Sequence, residues 1–457
     1  MPAVFVHVSD IHFGQEKGDA IQTHTDVKAQ LISDASSVVR SLSSKVATGI
    51  LVTGDIVQSG KSDQYHDAGE WLDQLAEAVG CQRYDIQMVP GNHDLDRAKM
   101  SHSVESLLPK LRSGDAAEYE NILNNDVDRA ALFSRFENYA RFSEAYNCPL
   151  NSHGKFTDKA VELAPHRRIR FVRMNSALLC TGTEKQDCPE LFVGARQFAH
   201  IPRVAGEENI VLIHHPLSWF KDAGDAKRYI RSRARIFISG HEHNPRVMVE
   251  SVESGCDFMM LAAGATVPFK SDERYTYTYN VLVFDWDVTH DALRVDIIPR
   301  AWNAELTRFD PDEVRLGTRE PRYILQSPNF RRAAKLGAEL VRGSVQDVDT
   351  LVAVEAVTSD DASSAQSCDS KVIDAMISQE PDGYRLLLLR FFRDISALDR
   401  LRILIEFGAV PEDLEEPITH SVEREFLDQL IDDGYLEHLN QRIDQTISAR
   451  GHGGANE

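Results

Sequence analysis

Five apolar segments of the chain each stop abruptly at small residues accompanied by a histidine or an aspartate. They span residues 4–12, 50–55, 86–94, 210–216 and 236–243. Each is rich in the aliphatic and β-branched residues that are typical of buried strands. Side chains at the ends of buried strands are rigidly held, so polar groups at several such ends converge at little entropic cost. The pattern therefore predicts a fold whose strand ends meet at one site.

The order of the predicted elements indicates the fold class. Strands and helices alternate over the first 90 residues, with helices expected at about 25–44 and 63–79. From 96 to 166 the pattern is polar and helical, and the strands that resume at 169 later follow one another without helices. Alternation predicts parallel pairing, whereas direct succession predicts hairpins. We therefore predict an α/β fold with mixed sheets.

A chain of 457 residues is too long to fold around one ordinary hydrophobic core, so we predict two or three domains. Shifts in composition and periodicity place their boundaries. We predict a catalytic domain at 1–300 with a helical insertion at 96–166, a partly helical extension at 301–342, a Ser- and Asp-rich linker at 343–371, a separate all-α accessory domain at 372–447 and a disordered tail at 448–457.

The composition of the chain indicates its cellular location and the classes of partner that it can bind. The net charge is −21, and residues 360–457 alone carry 21 acidic and 9 basic side chains, which argues against nucleic-acid binding by this region. The six cysteines form no Cys-x-x-Cys pair and are predicted to be reduced thiols. No apolar run approaches the ~18 residues of a membrane span, and a strand begins too early for a signal peptide. A cytoplasmic location without membrane association is expected.

The polar residues at the strand ends form a set of candidate metal ligands. They are Asp10, His12, Asp55, Asn92, His214, His241 and His243. Oxygen and imidazole donors without thiolates suit manganese, iron or zinc. Seven ligands exceed one tetrahedral site and suit two ions if one carboxylate bridges them. Because only two of the seven are anionic, the loaded site would be net positive, which favours a phosphate-ester substrate.

The same motifs resemble those of a known family. Asp10-Ile11-His12, Gly54-Asp55, Gly91-Asn92-His93-Asp94, His214 and Gly240-His241-Glu242-His243 occur in the order and approximate spacing of the calcineurin-like metallophosphoesterase superfamily. The resemblance covers about residues 3–300. It implies a two-sheet mixed β-sandwich flanked by helices, and two metal ions at the strand ends.

The resemblance also implies a role for each candidate residue. One ion would take Asp10, His12, Asp55 and His243, and the other would take Asp55, Asn92, His214 and His241, with Asp55 bridging. His93 would contact the phosphate and protonate the leaving oxygen. Asp94 would orient the imidazole of His93, and an acid–base histidine does need a second group to fix its tautomer.

Other residues near the motifs leave alternatives open. His214 is favoured over His215 as the ligand because it directly follows the apolar run, and His215 is predicted to support it from behind. The basic stretch 227–235 is interpreted either as a phosphate-binding helix or as a solvated helix face. Four residues follow ligand motifs and are candidates to line the pocket: Phe13, Gln58, Lys61 and Arg97.

The C-terminal helical region has a resemblance of its own. Residues 380–446, which include Asp399-Arg400-Leu401-Arg402-Ile403-Leu404, are similar to death-like effector-associated adaptor domains fused to bacterial enzymes. This resemblance implies binding to a protein partner or self-association. The alternative interpretation is an ordinary helical accessory or oligomerisation domain.

These observations predict a dinuclear, metal-dependent phosphodiesterase. The expected substrate is a cyclic nucleotide or another small diester, attacked by a metal-bridging hydroxide, with manganese favoured and His93 as the general acid. A DNA or RNA nuclease of the repair-exonuclease type is the main alternative. A phosphomonoester or phosphoprotein phosphatase comes next, and a non-enzymatic scaffold acting through the C-terminal domain is the fourth hypothesis.

Overall fold

A computed structural model provides the fold of the protein. It describes residues 1–16, 20–150, 159–252, 256–268, 276–313, 315–316, 321–333, 382–411 and 418–453. The linker predicted at 343–371 lies outside these residues, as do 334–342, 372–381 and 454–457.

The strands of the described residues form two sheets. In chain order they are β1 Ala3–Val8, β2 Gly49–Val52, β3 Ile86–Met88, β4 Lys159–Ala164, β5 Arg167–Arg173, β6 Glu207–Leu212, β7 Ala234–Ser239, β8 Arg246–Val252, β9 Cys256–Ala262, β10 Thr278–Asp287, β11 Ala292–Asn303, β12 Arg308–Pro311 and β13 Arg322–Leu325. The first sheet has the order β12-β11-β10-β1-β2-β3, with β13 also paired to β11, and the second has the order β4-β5-β6-β7-β9-β8.

Both sheets mix parallel and antiparallel pairing, as predicted. β1, β2 and β3 are parallel neighbours, and so are β5, β6, β7 and β9. β10 and β11 form a long antiparallel hairpin beside β1. The inner faces of the two sheets share one apolar core, in which the rings of Phe5, Phe171 and Phe284 contact one another. The predicted two-sheet sandwich with flanking helices is therefore confirmed.

Helices cover the outer faces and build the insertion. In chain order they are α1 Ala20–Ser41, α2 Ser62–Val79, α3 His102–Ser113, α4 Ala116–Leu123, α5 Asp126–Phe133, α6 Glu137–Ala145, α7 Ala195–Phe198, α8 Ala223–Arg231, α9 Asp382–Leu389, α10 Ala397–Glu406, α11 His420–Asp432 and α12 Leu436–Gly453. A π-helical turn, Arg390–Asp394, continues α9.

Three predicted boundaries differ from the structure. The insertion was expected to be helical to 166, but its last segment is β4, which pairs antiparallel with β5. The extension expected at 301–342 contributes β12 and β13 to the first sheet, because both strands find open pairing edges on β11. The disordered tail expected from 448 is helical as far as Gly453, since α12 continues to that residue.

The C-terminal helices do not form an isolated bundle. Buried side chains of this region, such as Leu388, Phe391 and Leu427, belong to the same continuous apolar cluster as Phe142 and Tyr146 of the insertion. Three arginines of this region also bind the first domain. The predicted accessory domain is therefore docked on α2 and α6.

No helix in the described ranges is long and apolar enough to cross a membrane.

Candidate metal centre

The candidate ligands come together because parallel strands end at a common edge. Asp10 follows β1, Asp55 follows β2 and Asn92 follows β3, and these three strands are parallel neighbours in the first sheet. His214 follows β6 and His241 follows β7, which are parallel neighbours in the second sheet. The carboxyl ends of both groups of strands face each other, so residues far apart in sequence line one site.

Five of the seven candidate ligands have left-handed backbone conformations. The φ angles are 53° for Asp10, 54° for His12, 52° for Asp55, 69° for His241 and 54° for His243. This region is uncommon for residues other than glycine and costs on the order of 1–3 kcal/mol for each residue. Such strain persists only where the surrounding structure holds it, and it concentrates at functional sites.

Backbone hydrogen bonds between the strand-end loops hold these conformations. The amides of Ile11 and His12 both donate to the carbonyl of Asp55, at 2.9 and 3.0 Å. The amide of Asp10 donates to the carbonyl of Gly54 at 3.0 Å. The loop after β1 is thereby tied to the loop after β2, independently of any ion.

The ligand atoms approach one another closely enough to share ions. Asp10, His12 and His243 each place one ligand atom within 4.8 Å of the others, and Asp10, Asp55 and His214 form a second such group. Nε2 of His214 lies 3.4 Å from Oδ2 of Asp55.

The other two ligands complete the arrangement. Oδ1 of Asn92 lies 3.2 Å from Nε2 of His214. The ring of His241 lies 5.1 Å from that of His214. All seven side chains predicted from sequence therefore converge, and Oδ2 of Asp55 lies 3.9 Å from Nε2 of His12 and 3.4 Å from Nε2 of His214.

Burial and neighbouring charges set the protonation states at neutral pH. Burial lowers the pKa of His12 to about 4 and that of His241 to about 3, so both rings are neutral and able to bind a cation. Burial alone would raise the pKa of Asp10, but the imidazole of His243 holds it well below its usual value. Burial opposes the charged form of His214 as well, but the Asp55 carboxylate raises the pKa of this ring to about 9.

These donors fit a pair of divalent cations. Asp10 and Asp55 are ionised, and together with the imidazoles, which bind an ion in their neutral form, and an amide oxygen they provide the hard and intermediate donors that manganese, iron and zinc accept. Nδ1 of His214 lies 2.7 Å from the carbonyl of Thr53, and the hydroxyl of Ser9 donates to Oδ2 of Asp10 at 2.6 Å. Such outer contacts orient ligands before an ion binds.

The structure corrects the predicted partnership between His93 and Asp94. Nδ1 of His93 lies 2.9 Å from the backbone carbonyl of Gln58, which therefore fixes the ring. Asp94 is fully buried on the other side of the turn, where its carboxylate accepts hydrogen bonds from the amides of Ile56, Val57 and Gly91. The two side chains have different partners, so Asp94 braces the loops and does not orient His93.

His215 is buried beside His241. Nδ1 lies 2.8 Å from the hydroxyl of Ser176, and Nε2 lies 3.8 Å from the sulfur of Cys180. Its ring packs against that of His241 at 4.4 Å, and Trp219 packs against His241 from another direction at 4.3 Å. Both nitrogens of the His215 ring are therefore engaged by Ser176 and Cys180.

A pocket of about 190 Å³ opens over the candidate ligands. It is lined by His12, Gln15, Asp55, Gln58, Asn92, His93, His241 and His243. Of the four lining residues suggested by sequence, only Gln58 is among them. Phe13 packs against Trp71, Lys61 pairs with Asp96 at 2.7 Å, and Arg97 lies against Gly182.

Sequence reasoning missed Gln15. Its amide donates to the carbonyl of Val267 at 3.1 Å, which holds the side chain at the pocket wall. Its only sequence signal is its place three residues after His12.

The insertion reaches the rim of the pocket through one loop. Arg112 of α3 binds Glu184 and Glu190 of the loop 181–190. From this loop Gln186 donates to the carboxylate of Glu242, the residue between His241 and His243. The insertion therefore holds, through Arg112, a loop that contacts the residue between two candidate ligands.

The basic stretch at 227–235 behaves as a solvated helix face. Lys227 pairs with Glu250 at 2.6 Å and Arg228 pairs with Asp225 at 2.8 Å. Arg235 is buried beside Glu208 in the core. None of these cations lines the pocket over the candidate ligands.

Comparison with known proteins agrees with this architecture. Residues 3–245 match the family model of the calcineurin-like phosphoesterases, and residues 383–445 match that of the GTPase-associated adaptor domain. The chain is similar to the uncharacterized metallophosphoesterase-like protein YydB of Bacillus subtilis, with 21% identity over 470 residues that cover 96% of this chain and 88% of that protein.

Two further proteins are similar over shorter or more distant stretches. The glycerophosphodiester phosphodiesterase GpdQ of Enterobacter lignolyticus is 30% identical over 110 residues, which cover 24% of this chain and 36% of that protein. The alignment with the structure of the purple acid phosphatase PPD1 of yellow lupin covers 72% of this chain and 55% of the PPD1 chain, at 12% identity and a TM-score of 0.39.

The first family match spans more than half of the chain and includes every candidate ligand. The second confirms that the C-terminal helices form an adaptor domain, as their resemblance implied. The chain therefore belongs to the calcineurin-like phosphoesterases and carries a C-terminal adaptor domain.

Proposed function

We propose that the protein hydrolyses a phosphodiester, such as a cyclic nucleotide or another small diester, at the pocket above the seven candidate ligands. Two divalent ions held there, with manganese favoured, would attract the phosphate and acidify a water molecule for attack on phosphorus. Asp55 approaches His12 of one predicted ligand group and His214 of the other, and it is the residue that would contact both ions.

The lining of the pocket carries the preference for a diester. Apart from the candidate ligands and His93, the lining residues are Gln15 and Gln58, and neither a lysine nor an arginine is among the described lining residues. Sites for doubly charged phosphate groups commonly use arginine or lysine. A diester carries a single negative charge, which neutral amides can accommodate through hydrogen bonds to its oxygens.

The contacts of His93 support a role as the proton donor. Because its Nδ1 is engaged by the carbonyl of Gln58, Nε2 is the nitrogen available to the pocket. In hydrolysis the oxygen of water forms a bond to phosphorus while the bond to the leaving oxygen breaks. We assign to His93 the transfer of a proton from Nε2 to that leaving oxygen, a role typically worth about 10²–10⁴-fold in rate.

The other hypotheses receive less support. The similarity to a protein named a glycerophosphodiester phosphodiesterase favours a small diester. A nuclease would need a basic surface beside the pocket, and Lys227 and Arg228 are neutralised by acidic partners. A scaffold would not require the strained ligand turns or the positioned His93.

The test is turnover of bis(p-nitrophenyl) phosphate beside p-nitrophenyl phosphate after reconstitution with Mn²⁺. The wild-type protein should hydrolyse the diester with a higher kcat/KM than the monoester. Asp55→Ala should lose activity together with bound metal, whereas His93→Ala should lose activity and keep its metal. Equal residual rates in all three proteins would overturn the catalytic assignment, and a preference for the monoester would overturn the choice of substrate.

A further inference from the structure

We propose that the docked C-terminal domain is a fixed part of the catalytic unit, and that it positions the loops carrying Asp55 and Asn92 through Tyr65. The adaptor domain would then set the turnover of the enzyme in addition to any partner it recruits. The part of this inference that concerns turnover rests on the function proposed above.

Three arginines anchor the C-terminal domain. Arg393 binds both carboxylate oxygens of Asp73 on α2 and the hydroxyl of Tyr146, at 3.0 Å, just beyond α6. Arg424 pairs with Glu144, whose side chain is 4% exposed, at the end of α6. We call these three arginines, Arg385, Arg393 and Arg424, the arginine anchor.

Arg385 completes the anchor at the edge of the first sheet. It donates to the carbonyl of Tyr84 at 2.6 Å and to the carboxylate of Asp85 at 2.7 Å, immediately before β3. Its guanidinium also lies over the ring of Tyr84, 4.5 Å from the centroid. Each arginine thus binds a different segment of the catalytic domain, and a charged group left without its partner in a partly buried interface is strongly unfavourable.

The helices α2 and α6, which bind the arginine anchor, also reach the candidate metal centre. Tyr65 of α2 is buried, and its hydroxyl donates to Oδ1 of Asp94 at 3.0 Å. Asp94 in turn accepts from the amides of Ile56 and Val57, next to Asp55, and from Gly91, next to Asn92. Tyr65 and Asp94 therefore hold together the two loops that carry candidate ligands.

Aromatic packing connects the anchor to this brace. The ring of Tyr146, which receives the bond from Arg393, packs on Phe142 at 5.1 Å. Phe142 packs on Tyr65 at 4.9 Å. Asn138 of α6 also donates to the carbonyl of Gly60, at 2.8 Å, in the loop that follows Asp55. A continuous series of contacts thus runs from the C-terminal domain to the ligand loops.

The test uses the full-length protein with Arg393→Asp, which places two carboxylates against each other at Asp73. Hydrogen–deuterium exchange should become faster in α9 and at the amides of Ile56, Val57 and Gly91. Turnover of bis(p-nitrophenyl) phosphate should fall about 2- to 30-fold, the usual range for coupling between distant sites. The exchanged pair Asp73→Arg with Arg393→Asp should restore part of both effects.

Two further variants separate this inference from general loss of packing. Arg390→Ala is the matched control, because Arg390 bonds Asn440 and Asp444 within the C-terminal domain, and it should leave exchange at the ligand loops and turnover unchanged. Tyr65→Phe removes only the hydroxyl and should speed exchange at the Asp94-bound amides without releasing α9. Tyr139→Phe removes the hydroxyl of a neighbouring buried tyrosine and should leave exchange at the Asp94-bound amides unchanged.

The outcomes are decisive in each direction. The inference is overturned if Arg393→Asp speeds exchange in α9 while exchange at Ile56, Val57 and Gly91 stays at the wild-type rate, or if it fails to loosen α9. If the wild-type protein hydrolyses no diester but the exchange couples as described, the proposed function fails and the structural brace stands.

Discussion

The close contact between Gly91 and Asp55 offers a strict test of the proposed centre. A Cβ atom added at Gly91 would lie 2.2 Å from Oδ1 of Asp55 and 2.4 Å from its backbone nitrogen. Non-bonded heavy atoms are comfortable at about 3.5 Å, so Gly91→Ala must separate the two segments by about 1 Å. The carboxylate of Asp55 cannot move freely, because its Oδ1 accepts a hydrogen bond from the amide of His93 at 2.8 Å.

The expected loss follows from the tolerance of metal sites. Ligand distances are typically maintained to about 0.2 Å, whereas this substitution displaces the candidate bridging carboxylate by about 1 Å. A misplacement of about 1 Å commonly costs about 100-fold in rate. We therefore expect Gly91→Ala to lower kcat/KM by about 100-fold, equivalent to about 2.7 kcal/mol of transition-state stabilisation. The Mn²⁺ concentration for half-maximal activity should rise about tenfold or more.

The assay is the initial rate of bis(p-nitrophenyl) phosphate hydrolysis as a function of Mn²⁺ concentration. Gly224→Ala is the matched control, since a Cβ at Gly224 of α8 meets no atom within 4 Å. It should leave both the rate and the Mn²⁺ dependence unchanged. A Gly91→Ala protein with the wild-type rate and the wild-type Mn²⁺ dependence would refute the assignment of Asp55 as a shared ligand.

Two further predictions concern the turn and the protons of the site. Asp94→Asn replaces one accepting oxygen with a donor and leaves at least one buried amide unpaired, so urea unfolding should show a loss of about 1–3 kcal/mol; an unchanged midpoint would contradict the bracing role. His214, with its pKa of about 9 in the metal-free protein, must lose a proton to bind an ion. The measured Mn²⁺ affinity should therefore rise with pH, by up to tenfold per unit, between about pH 6.5 and 9, and a flat profile would exclude His214 as a ligand.

The candidate ligands could be predicted from sequence because their chemistry and their position coincide. An apolar run such as 50–52 has to be buried, and an ionisable residue that follows it within a few positions, such as Asp55, is placed at the strand end. The same reasoning located Asp10, His214 and His241. The two-sheet arrangement followed from the change from alternating elements to consecutive strands.

The contacts that orient these side chains could not be read in the same way. Sequence adjacency suggested that Asp94 orients His93, yet the ring is held by the carbonyl of Gln58, a group that every residue type possesses. The left-handed conformations of His12 and His243 are likewise a property of the backbone, imposed by hydrogen bonds from distant loops. Docking of the C-terminal domain depends on ion pairs such as Arg393 with Asp73, which are separated by 320 residues.

These hidden contacts explain how the centre is held before an ion arrives. Before an ion binds, ionised Asp10 and Asp55 lie close together, and the ring of His214, whose pKa is about 9, offsets only part of the repulsion between the two carboxylates. The loops remain together because the carbonyl of Asp55 accepts the amides of Ile11 and His12. The two sheets and the hydrogen bonds between the loops thus stabilise the left-handed conformations of the ligand turns when the protein folds. Binding of the ions then requires little further ordering of the protein, which is the condition for tight and specific metal binding.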